Sequence, residues 1–203
     1  MNTDSSKQNK LSLILIFVLF CGPLVGAWWL HSQNTIVEAR GKTNHGQLIL
    51  PPRPVSNLAL IDPLSVDSNK KQLHGKWSLF VIAEGACDDE CVANLYRMRQ
   101  LRQAMGKHTA RLQRVVLFTQ PEQNDFNSLL ENYPGQMRVD IENLDLQSLI
   151  SKFSLPEYAK PAISGRLYIV DPLGNLMMSY AFDANPIGII KDLNKLLRAS
   201  KIG

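Results

Sequence analysis

The sequence predicts an α/β domain, a mixed sheet with helices on both faces, behind one N-terminal transmembrane helix. Three observations carry that reading. Leu11–Leu30 is a twenty-residue apolar run without a charge. After it, short apolar runs alternate with segments of helical period, an order that implies parallel crossovers. Late in the chain two β runs flank Asp171-Pro172-Leu173-Gly174, which is turn chemistry and adds antiparallel strands.

The composition is that of a globular protein, with 45% apolar and 20% charged residues in 203. The net charge is +4. Lys and Arg are scattered rather than blocked, so nothing favours a nucleic-acid partner.

Leu11–Leu30 spans ~30 Å as a helix, the thickness of a bilayer core. Trp28 and Trp29 close it at the level of an interfacial aromatic belt. Lys7 and Lys10 precede it, and the positive-inside rule places that end in the cytoplasm. No small-residue cleavage site follows the run, so the expectation is an uncleaved single-pass anchor in the inner (plasma) membrane. Residues 1–10 are then a cytoplasmic tail and 11–30 the anchor. Residues 31–63 are a periplasmic stalk and extended segment, and 64–203 the folded domain. Within 31–63, the Gly46–Pro63 stretch is rich in proline and leucine and reads as extended backbone, with an early strand or hairpin near Leu58–Ile61.

Lys76–Ala83 is the first strand, its near-continuous apolar run suiting burial on both faces. A helix is expected from about Asp88 to Met105, with acids in its first turn and Gly106 just past its end. Arg114–Phe118 reads as a core strand. Gln123–Tyr133 reads as a helix stopped by Pro134-Gly135, Met137–Ile141 as a strand, and Leu144–Phe153 as an amphipathic helix. Arg166–Val170 and Leu176–Tyr180 form the hairpin. Asn185 caps a last helix over Pro186–Ala199, with Pro186 in its first turn.

Of the three cysteines, Cys21 falls in the apolar run and reads as a small apolar residue. Cys87 and Cys91 sit where the first strand meets its helix. Four residues apart on a helix, they share a face with ~5–6 Å between Cβ atoms. That spacing lets two thiolates converge on a soft ion such as Cu(I). It equally admits a disulfide, and in an oxidising compartment a close pair persists as one. Two buried thiols would be the plainest outcome. The helix N-terminus favours a thiolate, whereas Glu84, Asp88, Asp89 and Glu90 oppose it and attract a cation. Among the histidines, His45 alone is a candidate further ligand, from the stalk, and Met177 or Met178 offers a thioether.

Cys87 and Cys91 at that junction, GKW at Gly75–Trp77 and LYIVDPLG at Leu167–Gly174 together resemble the Sco proteins. These are membrane-anchored, thioredoxin-like proteins that help build the copper centre of cytochrome c oxidase. The resemblance implies a thioredoxin-like mixed sheet and a cytochrome c oxidase subunit or assembly intermediate as partner. It further implies copper handling, or thiol reduction of an oxidase subunit, through Cys87 and Cys91. If the chain is an enzyme, it is a thiol–disulfide oxidoreductase. The alternative is a non-catalytic docking module on a membrane complex. Asp88 and Val92 stand where the family's motif carries prolines. Ile163 stands where its third copper ligand, a histidine, is expected, in a loop that should approach the two sulfurs. Pro161 stands where thioredoxin-like folds often hold a cis-proline, or is an ordinary trans-proline.

Overall fold

The computed structural model describes residues 4–32, 43–65, 70–85, 87–120, 125–155 and 165–202. The chain divides into two compact units, Met1–Thr43 and Asn44–Gly203.

The first unit is the helix α1, Asp4–Ser32. It runs past the apolar segment at both ends. Within it Ser12–Trp29 is long and apolar enough to cross a membrane, and none of that window is buried in protein. Pro23 lies inside the helix.

The second unit is built on eight strands: β1 (Gln47–Pro54), β2 (Ala59–Ile61), β3 (Lys71–Gln72), β4 (Trp77–Ala83), β5 (Leu112–Phe118), β6 (Gln136–Val139), β7 (Leu167–Val170) and β8 (Asn175–Tyr180). Their order across the sheet is β1-β8-β7-β4-β5-β6-β2-β3. The β4–β5 and β5–β6 pairs are parallel, as helical crossovers require. β7 and β8 form the expected antiparallel hairpin, and β7 pairs antiparallel with β4. The helices are α2 (Asp89–Ala104), α3 (Asp125–Glu131), α4 (Leu146–Phe153) and α5 (Pro186–Ala199).

All seven residues of β4 are buried, because both faces of the strand are covered. Leu79 and Val81 pack with Leu95 and Met98 of α2 and Ile189 and Leu193 of α5. Phe80 and Ile82 point the other way, to Leu149 and Phe153 of α4. There Phe153 stacks on Phe80 and meets Tyr168 edge-on, both at 5.0 Å between centroids. The Tyr168 hydroxyl donates to the Phe153 carbonyl, and burial pushes its pKa up to about 12.

The Gly46–Pro63 segment supplies two strands of the sheet: the early strand expected near Leu58–Ile61 is β2, and the proline-rich stretch before it is β1. The compact unit begins at Asn44. β1 pairs with β8 through Gln47–Ser179 and Leu48–Met178, then bulges before Arg53. Its prolines are tolerated because β1 is an edge strand, where a missing N–H breaks no ladder. Gly174, at φ +84°, lets this segment pass close, since a Cβ there would lie 2.6 Å from the Ser56 Cα.

Candidate functional site

Cys87 and Cys91 are joined in a disulfide, with Cα atoms 5.1 Å apart. Its position follows from local chemistry. β4 ends at Ala83, and Gly85 turns the chain at φ +74°. Asp88 then caps α2, its carboxylate accepting the Cys91 N–H at 3.0 Å. Such a cap stabilises a helix by ~1 kcal/mol and sets where the first turn begins. Asp89 and Glu90 fill the first turn, exposed, on the favourable side of the helix dipole.

The two sulfurs are not equivalent. Cys91 is 8% exposed and belongs to the core under α2, whereas Cys87 is only partly buried at its margin. Attack from outside therefore reaches Cys87 first.

Gly165 leads into β7 over the first turns of α2. Its carbonyl accepts from the Asn94 side chain at 3.1 Å. A Cβ on Gly165 would lie 2.9 Å from a Glu90 carboxylate oxygen and 3.9 Å from the Phe182 Cβ. The chain arriving from the Ile163 loop thus reaches the cysteine end of α2. Residues 156–164, with Pro161 and Ile163, lie outside the described residues. Asn94 is 2% exposed and its carbonyl oxygen has no partner. Sequence reading missed it, although a polar residue inside the Leu95, Met98, Leu101 stripe was a visible signal.

The other candidates stand apart from the pair. His45 lies in the ordered start of the second unit rather than in a stalk, its N–H donating to Asp192 at 2.7 Å. The register carries Val81 to Leu167, Tyr180 and, across β8, the start of β1. His45 is thus three strands from β4, on the order of 14 Å across the sheet. Met178 is buried, its sulfur 2.9 Å from the Tyr180 hydroxyl oxygen, while Met177 is partly buried. His74 bonds the Ser56 carbonyl at the far end of the sheet. Arg97, six residues beyond Cys91 and half-buried, donates to the carbonyls of Phe182 and Ala184. Among the described residues no group of three or more His, Cys, Asp or Glu is placed to hold a metal ion.

A family model described as the transmembrane-like, thioredoxin-like C-terminal domain matches residues 77–200. The chain belongs to that family. Among solved structures the fold is similar to apo Sco1 from Thermus thermophilus, at 18% identity and TM-score 0.55, covering 77% of this chain and 99% of that one. Yeast Sco1 with copper bound is similar at 18% identity and TM-score 0.54, covering 74% and 91%. BsSco, a Sco-family cytochrome c oxidase assembly protein with an identified disulfide switch, is similar at 16% identity and TM-score 0.52, covering 76% and 100%. No curated protein matches the sequence.

Proposed function

We propose that this chain is a membrane-tethered thiol–disulfide protein that reduces an oxidised copper-centre subunit during cytochrome c oxidase assembly. The observation that carries the reading is the Cys87–Cys91 disulfide at the head of α2, on a fold shared with Sco1 and BsSco. In the working direction the reduced pair is the donor. The Cys87 thiolate attacks a disulfide of the subunit, and one subunit sulfur leaves as a thiolate that takes up a proton. The Cys91 thiolate then attacks Cys87 in the mixed disulfide, releasing the second subunit thiol and closing Cys87–Cys91. Two electrons pass to the subunit, and an exported dithiol donor must return them. Burial supports this division of labour, since Cys91 is protected until Cys87 is engaged. Mixing the reduced chain with an oxidised copper-centre subunit should return two thiols per subunit, and no gain of thiols would refute the reading.

The tether is Leu11–Leu30, with the Asn44–Gly203 unit on the periplasmic side. The basis is the charge-free run with Lys7 and Lys10 before it. A reporter fused after Gly203 is expected to be active only outside the cytoplasm, and cytoplasmic activity would contradict the orientation.

A second reading has its own support. The geometry that closes a disulfide also lets two thiolates meet one Cu(I) as cargo, and yeast Sco1 holds copper on this fold. With no group of three His, Cys, Asp or Glu placed to hold a metal among the described residues, Cu(I) is favoured over Cu(II), which prefers nitrogen and oxygen. The reduced chain should compete for Cu(I) against a chelator, less well as pH falls, because both thiols must lose protons. Ile163→His should raise Cu(II) affinity. If the reduced chain holds no more copper than the double serine variant, the cargo reading fails and thiol exchange stands alone.

A further inference from the structure

At the end of the sheet opposite the disulfide lies a cavity of about 360 Å³, lined in part by Asp62, Lys71, His74, Lys76, Arg102 and Gly135. Lys71, Lys76 and Arg102 bring three basic side chains, and Asp62 is the one carboxylate in the lining, 3.9 Å from the Lys71 Nζ. Behind Gly135 stands Arg114. Its Nη2, the nitrogen that donates to the Pro134 carbonyl, is 3.6 Å from the position a Cβ on Gly135 would take. That residue is 2% exposed. Its guanidinium donates to the Pro134 carbonyl, while Nε and Nη1 have no partner. The charges acting on it are those of Arg102 and Arg99, both positive. Burial and those two neighbours push the Arg114 pKa down to about 10, so it is still charged at pH 7. Arg99 is itself held between the rings of Tyr96 and Tyr133, at 5.2 and 5.4 Å.

A buried guanidinium with unfilled donors and only like charges beside it is costly. An oxyanion in the cavity offsets the like-charge cost, because its negative charge faces the guanidinium from across Gly135. The cavity volume suits a small molecule.

We propose that this cavity binds a compact oxyanion carrying at least two negative charges, a phosphoryl group or a small polycarboxylate. Lys71 and Lys76 draw it in, Arg102 forms the wall and Arg114 sets the charge behind it. The site is independent of the disulfide and of the function proposed for it.

The test titrates pyrophosphate, inorganic phosphate and citrate into the full chain in detergent micelles at fixed ionic strength, with chloride as control. Calorimetry and thermal unfolding are read in parallel. Saturable one-to-one binding with a rise in Tm is expected for at least one oxyanion and not for chloride. Binding of citrate as well as phosphate assigns the general carboxylate–phosphoryl class, and binding of the phosphates alone assigns a phosphoryl ligand. The Lys71→Gln/Lys76→Gln variant should bind roughly 10-fold more weakly or worse. Arg114→Met should keep a Tm at or above the parent's without anion and lose the anion-dependent rise. Thiol exchange should be unchanged in both variants. Absence of saturable binding, or binding that neither variant weakens, would overturn the proposal.

Discussion

Replacing Asp192 with alanine is expected to destabilise the Asn44–Gly203 unit by about 3–5 kcal/mol. Asp192 lies on α5 and is 2% exposed. One carboxylate oxygen accepts three hydrogen bonds, from the His45 N–H at 2.7 Å, the Gly46 N–H at 2.9 Å and the Tyr180 hydroxyl at 3.0 Å. It thereby fastens the start of β1 to the last helix and to β8. Burial, then the charge and hydrogen bond of Asp192, push the Tyr180 pKa well up, so the phenol stays a donor at every working pH. The neighbours are fitted as closely. A Cβ on Gly46 would lie 2.6 Å from the Tyr180 ring, and one on Gly188 would lie 2.8 Å from the His45 Cβ. Alanine leaves three donors without their acceptor, and two of them are backbone groups that cannot turn away. Asparagine keeps the shape and one oxygen, and should cost roughly half as much. Urea unfolding of the full chain checks both, and a loss below about 1 kcal/mol for alanine would contradict the clamp.

The second large effect is an asymmetry between the two cysteines. Cys87→Ser should reduce disulfide exchange to background, because it removes the accessible attacking sulfur. Cys91→Ser should also stop turnover, but with Cys87 held in a mixed disulfide. The distinction rests on burial, with Cys91 8% exposed beneath α2 and Cys87 at its edge. The attacking species is a thiolate, so the first step should quicken as pH rises. Alkylation of the reduced wild type at limiting reagent should mark Cys87 before Cys91. Equal labelling, or a trapped adduct on Cys91 instead, would reverse the assigned order.

Much of this fold could be read from local signals. The last helix has the expected bounds, Pro186–Ala199, because Asn185 and Pro186 announce its start without help from the rest of the chain. β4 was visible as an apolar run, the β7–β8 hairpin as turn chemistry, and the cysteine junction as strand, glycine turn and acidic first turn. What escaped depends on distant partners. β1 is proline-rich and becomes a strand only because β8 offers an open edge. Asp192 reads as the polar face of an amphipathic helix until β1 and Tyr180 arrive from 146 and 12 residues away. Arg114 opens an apolar strand and looks like an exposed end. It is buried only because α2 and the Pro134–Gly135 turn close over it. The site divides likewise: the cysteine pair was legible, whereas Asn94 under Gly165 and the unequal burial of the two sulfurs were not.

The most direct test of the central claim is to mix the reduced Cys91→Ser chain with a copper-centre subunit of cytochrome c oxidase whose cysteines are oxidised. Non-reducing electrophoresis and peptide mapping then identify the linkage. The account predicts one mixed disulfide, between Cys87 and a subunit cysteine, which the wild-type chain resolves to two free subunit thiols. No mixed disulfide from Cys91→Ser, or the same yield from Cys87→Ser, would contradict it.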